Sequence, residues 1–551
     1  MTLLKLLSAL SLFLLTAPAS AAPDTIYLNA NVWTGESDDA FAQAFAVEKD
    51  RIVAVGANDA IAALAEQGTK RVDLEGRLVV PGFIDNHTHF LDSSLALSAV
   101  QLRDAATPAE FAARIAARAK DRPGEWILGG DWDHELWGGE LPIRDWIDAA
   151  TGDTPVFVVR LDGHMGLANS AALKLAGIDE RSTDPAGGTI VRDARGRPTG
   201  LLKDSAMDGV QRVIPEPSAA QVDAALQRGF AHSLARGVTQ VHDMGNWLSF
   251  AGFRRARAAE KLPIRVYAFV PIADWARMAA YVKKEGRGDD WLRWGGVKGF
   301  VDGSLGSTTA WFHQPYSDMP ETSGLTVTDL AQLTERIERS HAAGLHLAVH
   351  AIGDRANEWL LDAFSRVGGR NVRNARFRIE HAQHLARSAI PRFAALGVIP
   401  SMQPYHAIDD GRWAEKRVGA ERLKDMYPFR SLLVSGAALT FGSDWSVAPL
   451  DPIAGIDAAV TRRTIDGKNP DGWQPQERIG VGDALRAYTS ANAYAGFQED
   501  RLGRIAPGQL ADFVVLSQDI FLVDPKQIGS TTVLRTVVGG KERYRVPARI
   551  R

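Results

Sequence analysis

The sequence predicts an α/β protein, a (β/α)8 TIM-like barrel with a small β-sandwich domain built from both termini. Three observations predict it. Five strand-like apolar segments each carry potential metal ligands, in chain order His87 and His89, Lys298, His350, His381 and Asp444. The middle of the chain alternates such segments with helical stretches, as a barrel requires. Both ends are strand-rich and lack that alternation.

Residues 1–21 read as a secretory signal. Lys5 supplies the positive charge, residues 6–15 are almost wholly apolar, and Ala19-Ser20-Ala21 fits the small-x-small cleavage rule. The apolar run is shorter than the ~20 residues that span a bilayer, so a signal is favoured over an anchor and no stable membrane span is expected after its removal. Residues 22–80 and 500–551 form the expected β-sandwich domain. It begins with strand and turn at 25–35, continues as a hairpin pair around Glu48-Lys49-Asp50, and ends with strands near 510–516 and 533–538. Residues 81–499 form the expected barrel, with an insertion around 90–154. Its eight strands are expected at 83–89, 156–161, 238–242, 297–302, 345–350, 377–381, 398–403 and 439–444. A further strand, 264–270, has no assigned place.

The 551 residues, 45% of them hydrophobic, support a large core. A net charge of −3 argues against a nucleic-acid-binding surface. The absence of cysteine excludes disulfides and thiol chemistry, and in an exported chain suits a periplasm, with secretion as the alternative. There is neither a Gly-x-Ser-x-Gly nucleophile elbow nor a phosphate-cradling glycine loop.

Strand alternation sends His87 and His89 to one side, a ready pair of nitrogen ligands. A single histidine on a strand is usually packed or hydrogen-bonded. His-x-His directly after Pro81-Gly82-Phe83-Ile84-Asp85, followed by Lys, His, His and Asp at later strand ends, is hard to obtain by chance. Such groups converge on the C-terminal mouth of a barrel, so the pattern points to a metal.

The motifs Pro81 to His89, Val297 to Ala310, His350-Ala351-Ile352-Gly353-Asp354-Arg355-Ala356, Arg378-Ile379-Glu380-His381-Ala382-Gln383 and Gly442-Ser443-Asp444-Trp445 resemble the amidohydrolase superfamily. The resemblance is to its amidohydrolase-3 or YtcJ-like branch, which includes N-substituted formamide deformylases, and it covers nearly the whole mature chain. It implies that His87, His89 and Asp444 bind one metal and that His350 and His381 bind a second. It implies that Lys298 is carboxylated and bridges two zinc ions. The alternative is an unmodified Lys298 pairing with Asp302 or Asp444 beside one zinc held by His87, His89, His350 and Asp444. Nickel, manganese or iron also suits nitrogen and oxygen ligands.

On that resemblance the expected activity is that of an exported hydrolase in which hydroxide generated at the metal cleaves a non-peptide C–N bond of a small molecule, such as an N-substituted formamide. Asp444 is the expected proton shuttle as well as a ligand. His164, after the expected second strand, is a candidate donor to the substrate carbonyl, with a backbone-bonded loop histidine as the alternative. Trp132, Ser304, Gln403 and Trp445 are substrate-binding candidates, although tryptophan is more often ordinary packing. Glu380, next to His381, is expected on the opposite strand face in a structural salt bridge. His242 and His346 are expected in the barrel core. The rival readings are hydrolysis of a cyclic amide or lactone, deamination on the same site, and a non-catalytic metal-binding regulatory protein. A small-molecule substrate is the expected partner, and a homodimer is compatible with the sequence.

Overall fold

The computed structural model describes residues 22–547 apart from 162–164, 186–187, 307 and 370–371. The expected signal segment and His164 lie outside the described residues.

Eight parallel strands form one sheet. They are β1 (Phe83–Thr88), β2 (Val238–Asp243), β3 (Arg265–Pro271), β4 (Leu292–Phe300), β5 (His346–Ala351), β6 (Arg378–His381), β7 (Ile399–Met402) and β8 (Thr440–Phe441). They neighbour one another in chain order. A parallel bridge between Thr88 and Trp445 joins the ends of β1 and β8, giving a TIM-like barrel. At this seam the Asp444 N–H donates to the His87 carbonyl at 2.8 Å, and the His89 N–H to the Trp445 carbonyl at 2.8 Å. Closing the barrel therefore fixes the backbone of three expected metal ligands.

The helices between strands start and bury themselves as their sequences dictate. Trp247–Ala258, between β2 and β3, begins with a reciprocal capping box of Asn246 and Ser249. Leu330–Ala342, between β4 and β5, is capped by the Asp329 carboxylate and buries Leu333 and Ile337, four apart on one face.

Two expectations about strand order are corrected. The strand expected at 156–161 is observed as Val156–Arg160 and is not part of the barrel. It pairs in parallel with Ile127–Trp132 and antiparallel with Met165–Ala168, inside a separate six-stranded sheet. That sheet has its own core, including Phe111, Ile115, Trp132, Val158 and Leu167. The previously unplaced strand is β3. The insertion after β1 therefore runs well past 154, through the strand Pro198–Asp204. A short apolar run reveals that a strand is buried, not which sheet buries it.

The terminal segments form two smaller sheets, the first from the N-terminal segment alone and the second from both. One contains Thr25–Leu28, Ala44–Glu48, Arg51–Gly56 and Lys70–Asp73. The other joins Asn31–Trp33 and Leu78–Pro81 to Phe513–Leu516 and Val533–Val538. Strand alternation splits the side chains of this second sheet between two cores. Val79, Phe513, Val515 and Val537 pack with Tyr27, Phe45 and Ile52 of the first sheet. Leu78, Val80, Val514 and Leu516 pack into the barrel's own cluster.

A buried ion pair reinforces this junction. Arg265 of β3 donates to both carboxylate oxygens of Asp512, at 2.6 and 2.9 Å, and Asp512 also accepts the Gly539 N–H at 2.7 Å. Removing one partner strands a buried charge, so Asp512→Ala is expected to lose about 3–5 kcal/mol of stability. Urea unfolding followed by circular dichroism measures it.

Candidate active site

The C-terminal ends of the barrel strands bring the expected ligands together. His87, His381 and Asp444, all buried, place one ligand atom each within 4.8 Å of one another. His89 Nε2 lies 3.3 Å and His87 Nε2 3.5 Å from Asp444 Oδ1. The His350 ring is centred 4.5 Å from that of His381. Lys298 Nζ lies 3.1 Å from His87 Nε2.

Hydrogen bonds to the other ring nitrogens set the direction of each imidazole lone pair. His87 Nδ1 donates to Glu380 Oε2 at 2.5 Å, which leaves Nε2 facing the site. His381 Nδ1 donates to Gln403 Oε1 at 2.8 Å, so its Nε2 is the free nitrogen. His350 Nε2 donates to the Gly303 carbonyl at 3.0 Å, so Nδ1 is free. Burial, followed by the nearby Lys298 ammonium, pushes His87 down to about 4 and His350 down to about 3. Both rings are therefore neutral at ordinary pH, the form that binds a metal.

Burial by itself would raise the Asp444 carboxyl, but any proton shared between it and the surrounding His87, His89 and His381 imidazoles is held on the rings, which keeps the carboxyl well below the usual carboxylate range. Asp444 Oδ1 is nevertheless buried without a hydrogen-bond partner. A buried anionic oxygen left in this way is costly. Among converging imidazole nitrogens, a cation is the group that satisfies it. The donor set of histidine nitrogen and carboxylate oxygen fits a divalent ion such as zinc.

Glu380 corrects an expectation. It does form a salt bridge, accepting Arg378 Nε at 2.7 Å and Nη2 at 3.0 Å, but it lies inside the barrel and also holds His87. Ser401 Oγ donates to it as well, at 2.7 Å. Alternation fails at this point because His381, the last residue of β6, has φ of +75° and turns into the same interior. Arg378 further donates to the Asn86 carbonyl and to His242 Nδ1. His242 and His346 are buried in the barrel as expected.

The substrate-binding candidates separate. Trp132 is fully buried in the insertion core, its indole N–H on the Val158 carbonyl at 3.0 Å, which is a packing role. Trp445 is buried against Phe90 and stacked on His232 at 5.0 Å, so its ring braces the seam. Gln403 is buried and orients His381. Ser304 lies in the loop after β4, where its carbonyl accepts the Thr309 and Ala310 N–H groups.

Three residues have supporting roles that the sequence reading did not assign. Asp302 accepts the N–H groups of Ile352, Gly353 and Trp311 at 2.8–3.0 Å, which pins the chain on either side of the site near His350. Asp85 accepts the Ser443 and His87 N–H groups across the seam. His406, in the helix Pro404–Asp410, lies with Nε2 3.9 Å from Asp444 Oδ2. Asp302, Asp85 and His406 sit within the motifs or beside a strand end, but sequence alone does not say which polar neighbours turn inward.

The family model described as "Amidohydrolase family" matches residues 70–544. The chain belongs to this amidohydrolase family. The plant protein named "Protein LONG AFTER FAR-RED 3", from Arabidopsis thaliana, is 42% identical to this amidohydrolase over 96% of the chain and 93% of its own length. A putative amidohydrolase, YtcJ of Bacillus subtilis, is 33% identical over 86% and 90% respectively. An N-substituted formamide deformylase of Arthrobacter pascens is 29% identical over 95% and 98%. Among solved structures, an uncharacterized metal-dependent hydrolase from Pyrococcus horikoshii superposes with a TM-score of 0.78 at 30% identity, covering 91% of this chain and 99% of that one. The family, these relatives and the ligand cluster make this amidohydrolase a metal-dependent hydrolase.

Proposed function

We propose that this amidohydrolase is exported and hydrolyses a small non-peptide amide, with an N-substituted formamide as the leading substrate class. The observation that carries the reading is the buried, deprotonated Asp444 carboxylate oxygen that makes no hydrogen bond and faces the Nε2 atoms of His87 and His89 at 3.5 and 3.3 Å. The resemblance to a formamide deformylase along nearly the whole chain supports the substrate class. The signal-like residues 1–21 support export to the periplasm or beyond.

His87, His89, His381 and Asp444 would hold one divalent ion, and His350, with Lys298 as a shared ligand, would help to hold a second. Bound zinc would lower the pKa of water from ~15.7 to about 7 and polarise the substrate carbonyl. Asp444 takes the proton of the attacking water on Oδ2, the oxygen not assigned to the ion, and returns it to the leaving nitrogen. Without that return the amine leaves as an anion, which is a poor leaving group. His406 Nε2 faces this Oδ2 at 3.9 Å, close to the path of that proton. Burial pushes the Lys298 amine down to about 8, against the opposing pull of Glu380 and Asp444. A fraction of the amine is therefore neutral near neutral pH, the form that adds carbon dioxide.

Zinc-loaded protein is expected to release formate and one equivalent of amine from an N-substituted formamide. It is expected to lose this activity on chelation and to regain it with zinc. Ring opening of a lactone or deamination of a ring amine under the same conditions, with no formamide turnover, would replace the amide reading with its rivals.

A further inference from the structure

We propose a second ligand site at the opposite, N-terminal end of the barrel, one that takes a small flat carboxylate. The proposal stands independently of the hydrolytic reading. A cavity of about 360 Å³ opens there, lined among others by Tyr267, Arg287, Arg293, His341, His346 and Phe497. Its volume falls within the ~300–1,000 Å³ typical of small-molecule sites. β5 runs from His346, at this cavity, to His350, at the metal cluster, so the two sites occupy opposite ends of the strand.

The charge of the cavity is one-sided. Two guanidiniums line it and no aspartate or glutamate does. The ion pairs found among the described residues include neither Arg287 nor Arg293. Both are instead positioned by neutral carbonyls. Arg293 Nη1 donates to the Gly496 and Phe497 carbonyls at 2.5 and 3.2 Å, and Arg287 Nη2 donates to the Gly344 carbonyl. A guanidinium has five N–H donors, so each keeps others for an anion. Arg287 is also given room. Gly295 has φ of +111°, and a Cβ there would stand 2.5 Å from Arg287 Nη1.

The rest of the lining favours a flat body. Phe497 has φ of +57°, an uncommon conformation for a bulky residue, and stays 36% exposed. His346 spends both ring nitrogens on the protein, Nδ1 on Tyr267 Oη at 3.1 Å and Nε2 on the Arg376 carbonyl at 2.9 Å. His346 and Tyr267 thus form an aromatic, internally satisfied part of the lining, and the unpaired positive charge of the cavity lies with the two arginines. A planar acid can set its carboxylate on the guanidiniums and its face near Phe497.

The test uses benzoate as probe, neutral benzamide as its isostere, and the full-length metal-loaded protein, followed by isothermal titration at low ionic strength. Benzoate is expected to bind and benzamide to bind at least about tenfold more weakly, the scale of one charge-assisted hydrogen bond. Arg287→Gln, at an exposed position, should weaken benzoate by about tenfold, whereas Arg287→Lys, which keeps the charge, should retain most of the affinity. Circular dichroism confirms that both variants fold. Benzoate held instead at the metal cluster would ignore Arg287. Absence of benzoate binding, equal binding of benzamide, or equal affinity of the Gln and Lys variants would overturn the proposal.

Discussion

Replacing Asp444 with asparagine is expected to lower kcat on a formamide substrate by roughly 10²–10⁴-fold, the usual worth of a positioned acid–base group. The substitution keeps the shape and one carbonyl oxygen while removing the charge and the proton-accepting oxygen. His87, His89 and His381 still converge on the site, so the variant should retain metal. Its fold should also hold, because the seam bond at this position is made by the Asp444 backbone N–H and not by the carboxylate. Elemental analysis of the variant beside its turnover separates a lost proton path from a lost ion. Unchanged turnover would remove Asp444 from the chemistry and would favour a ligand-only role.

Glu380→Gln is expected to weaken metal binding by about 10–100-fold, the range found when a partner behind a histidine ligand is removed. The Glu380 carboxylate fixes the His87 tautomer and makes its Nε2 more basic. Glutamine can still accept through one oxygen, but its NH2 group would face either His87 or the Arg378 guanidinium, both of which are donors. Glu380→Ala would go further by leaving Arg378 buried without its carboxylate, and should cost about 3–5 kcal/mol of stability as well. A competition titration against a chelator of known affinity reads the metal effect, and thermal unfolding reads the stability effect. Metal affinity matching the wild type in Glu380→Gln would show that His87 is held in place by packing alone.

The candidate ligands that the barrel brings together were legible because their spacing and their strand-end positions need only local rules. His87 and His89 follow from alternation, and His350, His381 and Asp444 from apolar runs ending in a polar residue. The groups behind them were less legible. Arg378 and Glu380 face inward together with His381 only because His381 adopts a positive φ, which no periodicity announces. Gln403 looked like a residue at a barrel mouth, and only the fold shows it bonded to His381. Trp132 shows the same limit from the other side, since an aromatic ring near an insertion could line a pocket or fill a core, and here it fills one. Strand order failed at one point for a related reason. Val156–Arg160 is as apolar as a barrel strand, and its partners, Ile127–Trp132 and Met165–Ala168, decide where it belongs. The terminal strands were legible as strands, but their division between two cores came from pairing across several hundred residues of chain.

The metal centre is tested most directly by the metal content per chain, measured by elemental analysis on the native protein and on Lys298→Ala, alongside the intact mass of the native protein under non-denaturing conditions. A carbamate-bridged pair gives two equivalents of divalent metal and a native mass increased by one carbon dioxide, with metal content reduced in Lys298→Ala. One equivalent that is insensitive to Lys298, with no added mass, would contradict the bridged pair and leave a single ion held by the histidines and Asp444.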